Sequence, residues 1–167
     1  MKILYRDGHL YTSIEICFRG ATKIIENIVI DTGASETIIS PDAVEDIGLV
    51  AEINDTVNSF YGAGGSLHNL FSKEVDEVKF GVGCFKNAKL DFGIIDPNGI
   101  INGLLGLDLL ISLGAVINLK KLTVTLDSSN SISACPQGCG KQEHDAGLTG
   151  HSCRIAAPHR FTAKRCQ

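Results

Sequence analysis

The chain has 167 residues, of which 44% are hydrophobic and 20% charged, with a formal net charge of −4. That length makes one domain, or one domain with a tail, and a domain of this size buries a sizeable core. The apolar content excludes a disordered chain, the lack of a glycine period excludes a collagen-like one, and mild acidity argues against nucleic acid as a partner.

In chain order, most of the body reads as strands. Residues 11–18 alternate, with Ile14, Ile16 and Phe18 on one face and Ser13, Glu15 and Cys17 on the other. Arg19-Gly20 turns the chain, and 24–30 forms a second strand that ends apolar. Residues 41–46 read as a short helix, with Ser40 as its cap, Pro41 at its first position and Gly48 beyond its end. Strands over 56–61 and 66–71 flank a glycine-rich tip and predict a hairpin. Further strands are expected at 75–80 and 85–92. A buried helix is expected over 104–113, and a last strand, kinked at Lys120-Lys121, over 115–126. The total is seven to nine strands and two short helices. Without a βαβ alternation, a parallel α/β sheet is disfavoured and a closed or sandwich-like all-β fold is expected.

Composition changes near residue 128. Residues 1–127 hold 10 Lys and Arg against 17 Asp and Glu, a net −7; residues 128–167 hold 5 against 2, a net +3. Four of the six cysteines lie in the second part. The expected organisation is a domain at 1–127 and a basic Cys/His-rich tail at 128–167, disordered or foreign to the domain. The most apolar stretch, 100–119, is interrupted by Asn102, Asp108 and glycines, so it is not a membrane span. The N-terminus, with Arg6 and Asp7, lacks the apolar core of a signal peptide. These features predict a soluble, cytoplasmic protein with no membrane partner.

The chemistry concentrates at Asp31-Thr32-Gly33-Ala34-Ser35, directly after the apolar strand end Ile28-Val29-Ile30. Burial disfavours a charged carboxylate, so one placed at the end of a core strand needs compensation. The simplest reading is a turn aspartate that accepts hydrogen bonds from its own backbone. Two further features carry more weight: the glycine-rich tip Gly62-Ala63-Gly64-Gly65 and the downstream Leu104-Leu105-Gly106-Leu107-Asp108. In this order the three features resemble the retropepsin-like aspartic proteases, in their cellular and bacterial branch, over about residues 10–127.

The resemblance implies a closed β-barrel with a flap hairpin and one short C-terminal helix, assembled as a C2 homodimer. It implies Asp31 as the catalytic aspartate. Thr32 would bond across the dimer axis, and Gly33 would let substrate approach the backbone. Ala34 and Ser35 would line the groove. Leu104, Leu105 and Gly106 would pack beneath the loop, and Asp108 would open the C-terminal helix. Tyr61, Gly62, Ala63, Gly64 and Gly65 correspond loosely to the flap tip. Ser35 and Leu107 depart from the viral pattern, which has an acidic residue and an arginine there, so the viral salt-bridge network is absent.

The implied reaction needs two carboxylates sharing one proton. One takes a proton from water and the other polarises the peptide carbonyl. A single Asp-Thr-Gly therefore calls for a second subunit, and the substrate is a polypeptide. No cofactor is required. Two function classes follow: an aspartic endopeptidase, or a catalytically silent retropepsin-fold module for peptide binding or dimerisation. His68, beside the tip, reads as a solvated strand residue, and Cys17 as a small hydrophobe. In the tail, Cys135, Cys139, His144 and Cys153 loosely resemble a zinc knuckle, but two of the three spacings are wrong.

Overall fold

The computed structural model describes residues 1–61 and 67–127, and the side chains among these outside 60–68. Ten strands run in chain order: β1 (Leu4–Arg6), β2 (His9–Phe18), β3 (Ala21–Ile30), β4 (Ile38–Ile39), β5 (Thr56–Tyr61), β6 (Leu67–Phe80), β7 (Gly83–Phe92), β8 (Gly103–Leu105), β9 (Ala115–Asn118) and β10 (Thr123–Leu126). Among the described residues, one short α-helix, α1 (Leu107–Ser112), separates β8 from β9.

Eight strands form one sheet in the order β1-β2-β3-β8-β4-β7-β6-β5, and β2 also pairs with β6. That extra pairing, with Ile16 opposite Val78, closes β2, β3, β8, β4, β7 and β6 into a barrel. Closure removes sheet edges, which would otherwise expose unpaired backbone groups. The all-β expectation holds. Its interior is filled by the inward residues of alternating strands: Ile14, Ile16 and Phe18 of β2, Ile28 of β3, Val78 and Phe80 of β6, Leu90 and Phe92 of β7. Phe71 and Phe92 stack, with ring centroids 5.2 Å apart. Cys17, on the opposite face of β2, is also buried.

Several local expectations need correction. Residues 41–46 are not one helix. Two single 3₁₀ turns, Pro41–Ala43 and Glu45–Ile47, meet at Val44. Ser40 makes no side-chain capping bond, while Gly48 does end the segment in the left-handed region at φ +75°. The strands expected at 66–71 and 75–80 are one 14-residue strand. Ser72, Lys73 and Glu74, between the two expected strands, pair with Asp91, Leu90 and Lys89 of β7, so the ladder runs through them without a break. The helix expected over 104–113 starts only at Leu107, because 103–105 are taken into the sheet. The strand expected over 115–126 is a hairpin that turns through Lys120-Lys121, with Leu122 at φ +48°.

Parallel pairing does occur, twice: β3 with β8 and β4 with β7. Neither needs a βαβ unit, because β8 is inserted between β3 and β4 from far along the chain. The insertion is anchored by a bulge. The β2–β3 register shifts between Thr12 and Ile14, and Asn27 on β3 adopts φ +57°. The exposed carbonyls of the bulge are used by Asn102, whose backbone N–H donates to Asn27 O (3.1 Å) and whose Nδ2 donates to Glu26 O (2.9 Å). The Asn102 carbonyl accepts from Ser40 N–H at 2.8 Å. One residue thus ties β3, β8 and the end of β4 together.

Candidate active site

β3 delivers Asp31 to the rim of the barrel. Its register with β8, Ile28 opposite Gly103 through Ile30 opposite Leu105, fixes the exit of the strand. The Asp31 N–H continues the pattern and donates to Leu105 O at 3.0 Å. The chain then turns. Ala34 N–H donates to Asp31 O at 3.3 Å, and Gly33 N–H donates to Asp31 Oδ1 at 2.8 Å. The simple turn reading is therefore correct for Oδ1, since the aspartate accepts from its own loop. Asp31 is half-buried; Thr32, Gly33 and Ser35 are exposed. A carboxylate fixed by one oxygen, with its second oxygen outside that bond, can serve chemistry at the open face of the loop.

The other side of the loop is held by the segment after β8. Leu107 N–H donates to Ala34 O (2.9 Å) and Asp108 N–H donates to Ser35 O (3.1 Å). Gly106 lies so close that a Cβ there would sit 2.5 Å from the carbonyl carbon and oxygen of Glu36. Gly103 is as tightly placed, with Ile38 O 2.8 Å from its notional Cβ. Glycine is required at both positions by contact with neighbouring backbone. Leu105 is fully buried and Leu104 half-exposed, so of the two leucines Leu105 supplies the packing under the loop.

Thr37 was not visible as a site residue in the sequence. It is 1% exposed. Its hydroxyl donates to Asp108 Oδ1 at 2.6 Å and accepts from Gly106 N–H at 3.0 Å. A threonine that closes the polar run Ser35-Glu36-Thr37, directly before the apolar pair Ile38-Ile39, is the only signal the sequence offers. Asp96 is a second unanticipated residue. It opens the loop that leads to Asn102, and its carboxylate accepts N–H groups from Asn98 (2.9 Å), Ile100 (2.9 Å) and Ile101 (3.2 Å). These bonds, that from Asn98 first, hold its pKa below the usual 3.8.

The expected tip residues Gly62, Ala63, Gly64 and Gly65 lie outside the described residues, as do Cys135, Cys139, His144 and Cys153. Tyr61 is the last residue of β5, paired with Leu67, and His68 pairs with Phe60. The arms of the hairpin are thus in register up to the tip. Among the described residues, no group of three or more His, Cys, Asp or Glu is placed to hold a metal ion. No helix among them is long and apolar enough to cross a membrane.

A closed barrel with β8 inserted between β3 and β4, and Asp-Thr-Gly on the loop joining β3 and β4, is the retropepsin-like arrangement. The model of the aspartyl protease family matches residues 14–109, and the chain belongs to that family. Among solved structures, a retropepsin-like aspartic protease from Rickettsia conorii is 26% identical, with a TM-score of 0.53, covering 72% of this chain and 92% of that one. The retroviral protease-like domain of Ddi1 from Leishmania major (17% identity, TM-score 0.51, 77% and 94% covered) has the same fold. So does the EIAV protease in complex with the inhibitor HBY-793 (22% identity, TM-score 0.50, 70% and 99% covered). No curated protein matches the chain.

Proposed function

We propose that this protein is an aspartic endopeptidase whose working form is a homodimer, with residues 1–127 as the catalytic subunit. The observation that carries this reading is the Asp31 loop. Its carboxylate is anchored through Oδ1 to Gly33 N–H, and its backbone to Leu105, at the open end of the barrel. Family membership supports peptide hydrolysis as the reaction.

One such carboxylate is half of the required chemistry. In a symmetric pair, Asp31 of each subunit would meet at the twofold axis. Two carboxylates at close range cannot both ionise easily, so the pair would hold one proton over the working range. The ionised member would remove a proton from water. The protonated member would donate to the scissile carbonyl as the water oxygen attacks its carbon. The tetrahedral intermediate would then collapse, with proton transfer to the leaving amine. The exposed Thr32 is available to bond to the partner's loop, and Gly33, Ala34 and Ser35 would line the substrate groove. The β5–β6 hairpin, with Tyr61, Gly62, Ala63, Gly64 and Gly65 at its end, would close over an extended peptide and exclude water.

The test is cleavage of an unstructured polypeptide by wild type and by Asp31→Asn. The variant keeps an oxygen acceptor for Gly33 but cannot act as the base, so the rate should fall at least about 10³-fold. Wild-type turnover by Asp31→Asn would sink the reading. An intact dimer that cleaves nothing and binds no statine-type transition-state analogue would favour a silent binding module instead.

A further inference from the structure

A cleft of about 290 Å³ opens beside the catalytic loop, between that loop and the arms of the hairpin. It is at the small end for a ligand pocket and suits one side chain better than a whole small molecule. Its floor is built. Thr37 and Asp108, joined by their 2.6 Å hydrogen bond, belong to the framework that holds Asp31. β7 brings Asp91 alongside, since Asp91 pairs with Ile38 of β4 and with Ser72 of β6. The Ser72 hydroxyl donates to Asp91 Oδ1 at 2.5 Å and accepts from Asn58 Nδ2 at 3.1 Å. Thr37 and Ser72 are buried, so these polar groups are fixed before anything enters.

The charge of the cleft is unbalanced. Glu36, Asp91 and Asp108 line it against the single cation Lys89. The ion pairs of the described residues involve none of these four groups. Asp91 and Asp108 are half-buried, and each accepts one hydroxyl hydrogen bond, which leaves acceptor capacity on both carboxylates. Partly buried carboxylates that outnumber the nearby cation and form no ion pair with it are incompletely compensated, and a cationic group entering the cleft supplies what is missing. The three acids do not converge on one point as metal ligands do. They are distributed along the walls, which suits a long side chain with several N–H donors.

We propose that this cleft is the specificity-determining subsite for a lysine or arginine side chain of the polypeptide substrate. The inference rests on the endopeptidase reading and adds a substrate class to it. A cationic side chain gains charge-assisted hydrogen bonds to Asp91 and Asp108, with Glu36 at the mouth. An acidic side chain meets like charge and is rejected.

The experiment uses the full chain and a set of unstructured peptides, in which each position in turn carries Arg, Leu or Glu. At one position Arg should raise kcat/KM roughly tenfold over Leu, the scale of one hydrogen bond to a charged group, and Glu should lower it. Glu36→Gln combined with Asp91→Asn should bring the Arg-to-Leu ratio towards one. Lys89→Glu, an exposed substitution that removes the one opposing charge, should increase that ratio. Glu36 and Lys89 are exposed, and Asp91→Asn keeps a side-chain oxygen to accept the Ser72 hydroxyl, so both variants should fold, which circular dichroism checks. Cleavage with no cationic preference, or a preference that neither variant changes, overturns the subsite and leaves the peptidase intact. Absence of cleavage from every peptide overturns both together.

Discussion

The hydroxyl of Thr37 lies 2.6 Å from Asp108 Oδ1, although the two residues are 71 positions apart. The Thr37 hydroxyl oxygen also accepts the buried N–H of Gly106 at 3.0 Å. Three segments meet there: the loop after Asp31, the end of β8 and the start of α1. Thr37→Val keeps the shape but leaves both the Gly106 N–H and the Asp108 carboxylate without that partner. An unsatisfied buried group costs about 1–3 kcal/mol, and more where a charge is involved, so urea unfolding should register a loss of about 3 kcal/mol. Thr37→Ser, which retains the hydroxyl, should recover most of it.

Gly106→Ala tests the close approach of the loop to the segment below it. The added Cβ would sit 2.5 Å from Glu36 backbone atoms, which cannot move aside as a flexible side chain would. Overpacking of this kind costs about 3 kcal/mol, and here it also displaces the loop carrying Asp31. Thermal unfolding and peptide cleavage should both be impaired. A fully active, equally stable Gly106→Ala protein would contradict the geometry.

A homodimeric active site predicts a specific mixing curve. When wild type is equilibrated with excess Asp31→Asn subunits, most wild-type chains enter mixed dimers with one ionisable aspartate. Activity per wild-type chain should then fall steadily with the excess, at constant wild-type concentration. A flat curve would identify the single subunit as the active unit.

Stability should be highest between moderately acidic and moderately alkaline pH. Asp46, Asp55 and Asp96 each have a pKa below the usual 3.8. The leading causes are the Lys23 ammonium for Asp46, the Glu52 N–H for Asp55 and the Asn98 N–H for Asp96. A lowered carboxylate pKa stabilises the fold above the unfolded value, and that contribution is lost as pH falls through the folded value. Lys79 is shifted the other way, above 10.5, chiefly by its hydrogen bond to Glu15. Its contribution is present below 10.5 and disappears as pH rises beyond it. Denaturant midpoints should therefore decline below about pH 4 and again above about pH 10. Asp46 is the exposed member of the four, while Asp55, Lys79 and Asp96 are half-buried, so added salt should flatten the Asp46 contribution first.

The longer strands could be read from alternation, since Ile14, Ile16 and Phe18 declare their face without reference to a partner. The short strands could not. β4 is two residues and β8 is three, and Leu104-Leu105 suits a buried helix as well as a buried strand. What makes 103–105 a strand is that β3 lies on one side and β4 on the other. Thr37 carries no local signal for a related reason. A threonine before two isoleucines looks like strand composition, and its value depends on Asp108 and Gly106 arriving from elsewhere.

By itself the sequence determined an all-β domain and one aspartate in a turn that its own glycine stabilises. Those features rest on local periodicity and turn chemistry. The tertiary structure decided what surrounds that aspartate. Pairing on both edges places β8 between β3 and β4, the Asn27 bulge offers the carbonyls that seat Asn102, and Thr37 locks the loop from beneath. It also gathered Glu36, Asp91 and Asp108 around one cleft, from three separate parts of the chain. Contacts of that kind depend on groups distant in sequence becoming neighbours, and no local pattern records them.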